Sequence, residues 1–200
     1  MKKIPFALIG IRALFGVIIL LLGMLQVAGY REYIVAFMVI GLLTDVFDGI
    51  IARRLNVSTP ALRRLDSVTD QFFWLCVIGS AYVVCPEFFK ANALKMYILG
   101  GSEAFSYIVS FAKFRKEVAT HAIASKIWTL TLLGTFIQLV LSGNSGILFN
   151  ICFYLGMLSR IEIIVILLIL RKWSNDVPSI YHAILLRKGK AIKRNKLFNG

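Results

Sequence analysis

Long apolar runs broken by short polar connections dominate the chain. Segments of about 20 predominantly apolar residues, the length a helix needs to cross the hydrocarbon layer, recur near residues 5–28, 33–53, 65–85, 92–112, 122–141 and 147–170. Backbone polar groups cannot stay unpaired in lipid, and these runs are too long and continuous for barrel strands, so the pattern predicts helices. The expected fold class is an all-α integral membrane protein, a bundle of six transmembrane helices. No Pro/Gly/Ser-rich linker, low-complexity tract or internal repeat interrupts it. Residues 1–200 therefore read as one membrane domain, of which 171–200 form a basic tail.

Composition excludes an ordinary soluble domain: 58% of the 200 residues are hydrophobic, against about 45–50% in such domains. Lys2-Lys3 ahead of an apolar run has the outline of a signal peptide. The run is longer than a typical h-region, contains Arg12 and ends in Gln-Val-Ala-Gly without a small-x-small cleavage site, so it reads as the first span. Cys76, Cys85 and Cys152 show no paired spacing and read as small packing residues, with neither disulfide nor zinc indicated.

Charge gives orientation. If the spans alternate, 17 of the 23 Lys and Arg fall on one side, and Arg31, Lys90 and Lys95 on the other. The positive-inside rule then puts both termini in the cytoplasm, with the connection carrying Arg53, Arg54, Arg63 and Arg64. Topology and attraction to anionic headgroups account for the net charge of +13, so no nucleic-acid partner is expected. The segment Leu186–Lys196 fits a lipid surface.

Against this background stand four aspartates, Asp45, Asp48, Asp66 and Asp70, at the end of the second span and the start of the third. Spacings of three and four put each pair on one helix face, and the connection 54–64 is short enough to hold the two helix ends together. Carboxylates in a spanning segment are costly unless a cation joins them. A set of hard oxygen ligands suits Mg²⁺ or Mn²⁺, one or two ions, with two expected. An ion pathway or proton relay, or pairing with the four nearby arginines, would use the same acids. Gly49 and Ala52 strip bulk from the adjoining face, leaving room for close helix packing or for a phosphorylated ligand, and Arg53 supplies a cation for phosphate. Arg12 in its apolar helix needs the acidic cluster, a substrate phosphate or the interface as partner.

The run Asp45-x2-Asp48-Gly49-x2-Ala52-Arg53-x12-Asp66-x3-Asp70 resembles the motif D-x2-D-G-x2-A-R-x8-G-x3-D-x3-D of the CDP-alcohol phosphotransferase (CDP-alcohol phosphatidyltransferase) family, integral membrane enzymes of phospholipid synthesis. The one departure is Leu62 at the second glycine, where the larger side chain is expected to crowd the approach to Asp66. Pro5, Leu8 and Arg12 are similar to the family's P-N-x-L-T-x2-R start, with Phe6 and Ile9 replacing Asn and Thr.

The resemblance implies transfer of a phosphatidyl group from a CDP-linked lipid, CDP-diacylglycerol being expected, to an alcohol acceptor, with release of CMP. It implies that Asp45, Asp48 and Asp66 bind metal and that Asp70 is the catalytic base and a further metal contact. Asp48, Gly49, Ala52 and Arg53 would line the CDP site. Arg12, Arg63, Arg64 and Lys126 are candidate phosphate or acceptor contacts, the acceptor being a small alcohol or a polyol phosphate. The expected location is the bacterial inner membrane, with the active site facing the cytoplasm and the remaining small residues available for a homodimer face.

Two other classes share part of this pattern. An intramembrane polyprenyl transferase would also gather aspartates around Mg²⁺-bound pyrophosphate, and a cation transporter would line a pathway with acids. The D-x2-D-G-x2-A-R stretch speaks against the first, and the apolar runs flanking the acids against the second. Glu103 and Arg160, deep in the fourth and sixth spans, are expected to pair as a structural contact, with Glu162 and Lys126 as the alternative pair.

Overall fold

A computed structural model describes residues 4–55, 57, 59–116, 118, 123–175, 177–190 and 192, and for Arg53 and Pro60 the backbone alone. Lys2, Lys3 and most of the tail beyond Lys190 lie outside the described residues. Among the described residues every regular element is a helix: α1 Ile4–Leu25, α2 Tyr30–Arg54, α3 Pro60–Val84, α4 Pro86–Ala91, α5 Ala93–Phe114, α6 Ile123–Ser142, α7 Gly146–Ile169 and α8 Ile180–Arg187.

Five of these, α1, α2, α3, α6 and α7, are long and apolar enough to cross a membrane. Their outward faces are apolar at mid-helix, as Leu75 (66% exposed), Leu130 (63%) and Leu158 (61%) show. Such faces suit lipid, since a soluble surface seldom carries large contiguous apolar patches. The predicted fourth span coincides with α5, which has 22 residues, the length of α1. Lys95, Glu103, Lys113 and the serines at 102, 106 and 110 break up its apolar run along the whole length.

Two boundaries differ from expectation. α3 begins at Pro60 rather than near 65, because Thr59 caps it, accepting from the Leu62 N–H at 3.2 Å, and Pro60 presets the first-turn φ. The connection from α2 shrinks accordingly. The tail also holds a helix, α8, whose Ala183 packs into a core with Ile163, Ile166, Leu167, Leu170 and Val177. The short α4 likewise starts on a proline.

The chain divides into two compact units, Met1–Lys90 with Phe136–Ser145, and Ala91–Thr135 with Gly146–Gly200. In the first, α1 buries a stripe of Pro5, Ile9, Arg12, Gly16, Ile19 and Gly23, spaced three and four apart. Two of its glycines are seats for α3: a Cβ on Gly16 would lie 3.4 Å from Phe73 Cα, and one on Gly23 3.0 Å from Ser80 Cα. Contacts therefore ascend both helices together, and α1 and α3 run parallel. The turn between α1 and α2 needs the left-handed Gly29, at φ +73. The end of α6 closes this unit, where Arg31 Nη1 donates to the Val140 carbonyl at 2.8 Å, a cation at a helix C-terminus.

In the second unit the Glu103–Arg160 pair expected from sequence is present at 2.7 Å. The Arg160 guanidinium also lies 4.5 Å over the Trp128 ring, and Ser125 and Ser159 share a hydrogen bond of 3.1 Å. A buried cation is thus held by a carboxylate and an aromatic face.

Candidate active site

Arg12, Asp45, Asp48, Asp66 and Asp70 meet in the first unit, each delivered by helix periodicity. Arg12 follows Ile9 on the buried stripe, about 12 Å along the axis from the start of α1 at 1.5 Å per residue. Asp45 and Asp48 share a face near the end of α2, and Asp66 and Asp70 a face near the start of α3.

The guanidinium of Arg12 is the common partner of all four acids. Its Nη1 lies 3.0 Å from Asp45 Oδ1 and 2.9 Å from Asp66 Oδ1, and also bonds Asp70 Oδ1. Its Nη2 bonds Asp48 Oδ2. The Arg12 side chain is 1% exposed and that of Asp48 4%, whereas Asp45, Asp66 and Asp70 retain 34%, 29% and 36%. The site therefore has a dry floor, formed by Arg12 and Asp48, and a wetter rim of three carboxylates. Of the partners considered for Arg12, the acidic cluster is the one it takes.

This donor set fits a divalent cation. Asp45, Asp48 and Asp66 each offer an oxygen, and these oxygens lie within 4.8 Å of one another. All are hard carboxylate ligands, matching the preference of Mg²⁺ and Mn²⁺. With all four acids ionised, the single positive charge of Arg12 leaves the cluster strongly anionic, so a further cation is electrostatically favoured. Asp70 joins the cluster through Arg12, on the α3 turn beyond Asp66.

Leu62 is buried with Ile9 and Ala52 in an apolar cluster against which Val57 packs. The Ala52 side chain is part of that contact, so its smallness sets the spacing of α1, α2 and α3. Gly49 is partly exposed beside Asp48. Arg63 is half-buried and Arg64 exposed on the first turns of α3, the Arg53 side chain lies outside the described residues, and Lys126 is exposed at the start of α6 in the second unit. Of the two lone histidines, His121 lies outside the described residues, while His182 is half-buried and shares a hydrogen bond of 2.9 Å with Ser179. Cys76, Cys85 and Cys152 are buried free thiols.

Sequence reasoning missed the apolar cluster. The signal was present, since Ile9 stands where the resembled motif has Thr and Leu62 where it has Gly. The two departures touch the same cluster, so they form one change in packing.

Comparison with known proteins agrees with this geometry. The sequence model of the CDP-alcohol phosphatidyltransferase family matches residues 2–161, a stretch that includes Arg12 and all four aspartates. The polyprenyl-transferase and cation-transporter readings gain no such support. No curated protein and no solved structure matches the chain.

Proposed function

The chain belongs to the CDP-alcohol phosphatidyltransferase family, an enzyme family of phosphotransferases, and from that membership we propose that it transfers the phosphatidyl group of CDP-diacylglycerol to a small alcohol, releasing CMP. The convergence of four carboxylates on Arg12 supports this reading most directly. In it Asp45, Asp48 and Asp66 hold Mg²⁺ or Mn²⁺, as one or two ions. Such ions, when bound, neutralise the pyrophosphate and stabilise the departing CMP.

The chain's own residues do the rest. Asp70, the most open of the four acids and a further metal contact, takes the proton of the acceptor hydroxyl as the acceptor oxygen bonds the lipid-bearing phosphorus; the bond from that phosphorus to the CMP oxygen breaks. Asp48 and Gly49 border the CDP site, Ala52 keeps the helices close beside it, and Arg53 faces phosphate oxygens. Arg12, released from some of its carboxylates when a cation takes them, is available to a phosphate. Arg63, Arg64 and Lys126 are the cations assigned to the acceptor, which would be a polyol phosphate if they are used and an uncharged alcohol if not.

The same proposal makes α5 the sixth span, places both termini and the acids at the cytoplasmic side of a bacterial inner membrane, and allows a homodimer. Protein purified in detergent with Mg²⁺ or Mn²⁺ and CDP-diacylglycerol should release CMP when offered the right member of a panel of glycerol 3-phosphate, inositol phosphate, inositol and serine. Absence of metal-dependent CMP release with every acceptor, together with unchanged donor binding in Asp48→Asn, would defeat the reading.

A further inference from the structure

The second unit contains a cavity of about 270 Å³ lined by Leu170, Arg171, Lys172, Trp173, Ser174, Leu186, Arg187 and Gly189. It lies outside the family-matched residues, which end at 161, and it opens directly after α7, a helix able to cross the membrane that ends at Ile169. None of its lining residues is acidic and three are cations. Leu170, Leu186 and the Trp173 ring give it an apolar wall.

Neighbouring cations crowd the same place. Lys113 Nζ donates to the carbonyls of Leu167 and Leu168 at 2.9 and 2.7 Å, and Arg187 Nη1 to that of Ile169 at 3.5 Å, so these two cap the C-terminus of α7. Lys116 lies 4.6 Å over the Trp173 ring, its own carbonyl held by the Ser110 hydroxyl at 2.8 Å. Helix capping and ring stacking explain those three. They do not explain Arg171 and Lys172, exposed at the cavity and without an ion-pair partner among the described residues.

Like charges gathered with no acid among the lining residues repel, and an anion relieves them. The apolar wall, the interfacial tryptophan and the position at the end of a span specify an anion that is also an amphiphile. We propose that this cavity binds the phosphate headgroup of an anionic phospholipid, with Arg171 and Lys172 on the phosphate and Trp173 against the glycerol and upper acyl region. The cavity shares no residue with the aspartate cluster, and its binding does not depend on the transfer reaction.

The test uses full-length, delipidated protein titrated with dioctanoyl phosphatidylglycerol or dioctanoyl phosphatidylcholine and read by native mass spectrometry. Wild type should bind the anionic lipid saturably and in preference to the zwitterionic one. R171Q/K172Q should weaken that binding about 30-fold, from about 1 kcal/mol per surface cation at 1.4 kcal/mol per tenfold. R171K/K172R should retain it, and Trp173→Ala should weaken it with the charges intact. Phosphatidylglycerol can also enter the transfer site, so Asp48→Asn is run in parallel and should leave the R171Q/K172Q difference unchanged. Equal binding by wild type and R171Q/K172Q overturns the proposal. So does displacement of the lipid by inorganic phosphate at equal concentration, which would reassign the cavity to free phosphate.

Discussion

Replacing Arg12 by glutamine removes the guanidinium that the four carboxylates share and keeps a polar side chain in its place. At an effective dielectric constant of about 20, two carboxylate charges at the 4.8 Å limit of this cluster repel by about 3.5 kcal/mol, and each guanidinium contact near 3 Å attracts by about 5.5 kcal/mol. Solvent softens the share of Asp45, Asp66 and Asp70, which are about one-third exposed, but hardly that of Asp48 at 4%. Removing one partner of a buried pair costs about 3–5 kcal/mol, and a chain of this size loses about 2–4 °C in midpoint per kcal/mol. The metal-free Arg12→Gln protein should therefore unfold about 6–20 °C below wild type in detergent.

A divalent ion that binds the same acids supplies the missing charge, and a ligand bound by the folded state alone stabilises it by mass action. Added Mn²⁺ should accordingly raise the midpoint of Arg12→Gln more than that of wild type, and at lower metal concentration. Adding Asp48→Asn to Arg12→Gln should restore part of the metal-free loss, with a coupling of about 0.5–3 kcal/mol. A midpoint deficit that is the same in EDTA and at every Mn²⁺ concentration would refute the idea that guanidinium and metal act on one set of carboxylates.

Three further outcomes follow from the same structure. Asp70→Asn should lower kcat about 10²- to 10⁴-fold while CDP-diacylglycerol still binds, read by CMP release and by a donor-binding titration; unimpaired turnover would remove Asp70 from the role of base. Leu62→Ala should cost about 2–5 kcal/mol by opening the cluster with Ile9 and Ala52, and a variant as stable as wild type in a detergent melt would contradict the packing described. Gly23→Ala brings a Cβ to 3.0 Å from Ser80 Cα, an overpacking worth about 1–3 kcal/mol; Mn²⁺ affinity should fall with it, and a drop in stability with unchanged affinity would separate the helix contact from the site.

The acids were legible because their chemistry is incompatible with their surroundings. A charge in an apolar run announces itself, and helix periodicity then assigns faces without any knowledge of the fold. The Glu103–Arg160 pair was readable on the same ground, two opposite charges at depth with no water to satisfy them. The direction of the Leu62 side chain was not readable, because it depends on how α1 and α2 lie against α3, and motif spacing carries no record of that. The early start of α3 could have been read from Thr59-Pro60, a cap followed by a first-turn proline. Apolarity, the signal used to mark the spans, is blind to the polar residues of that turn. α8 was obscured by its length, since eight residues running into Arg187, Lys188 and Lys190 are too short to register as a span.

The level at which Arg12 meets the acids is fixed well above it. Gly16 abuts Phe73 and Gly23 abuts Ser80, both separated by the same interval along the chain, so the parallel helices α1 and α3 keep one register over two turns. Carried down α1, that register sets Arg12 level with Thr69, between Asp66 and Asp70. A guanidinium there reaches both α3 acids from its Nη1 while its Nη2 crosses to Asp48 on α2. Small residues on the stripe thus determine an electrostatic arrangement in which none of their atoms takes part. The four carboxylates are held together before any metal ion arrives, so ion binding exchanges one cation for another and avoids assembling the acids against their full mutual repulsion.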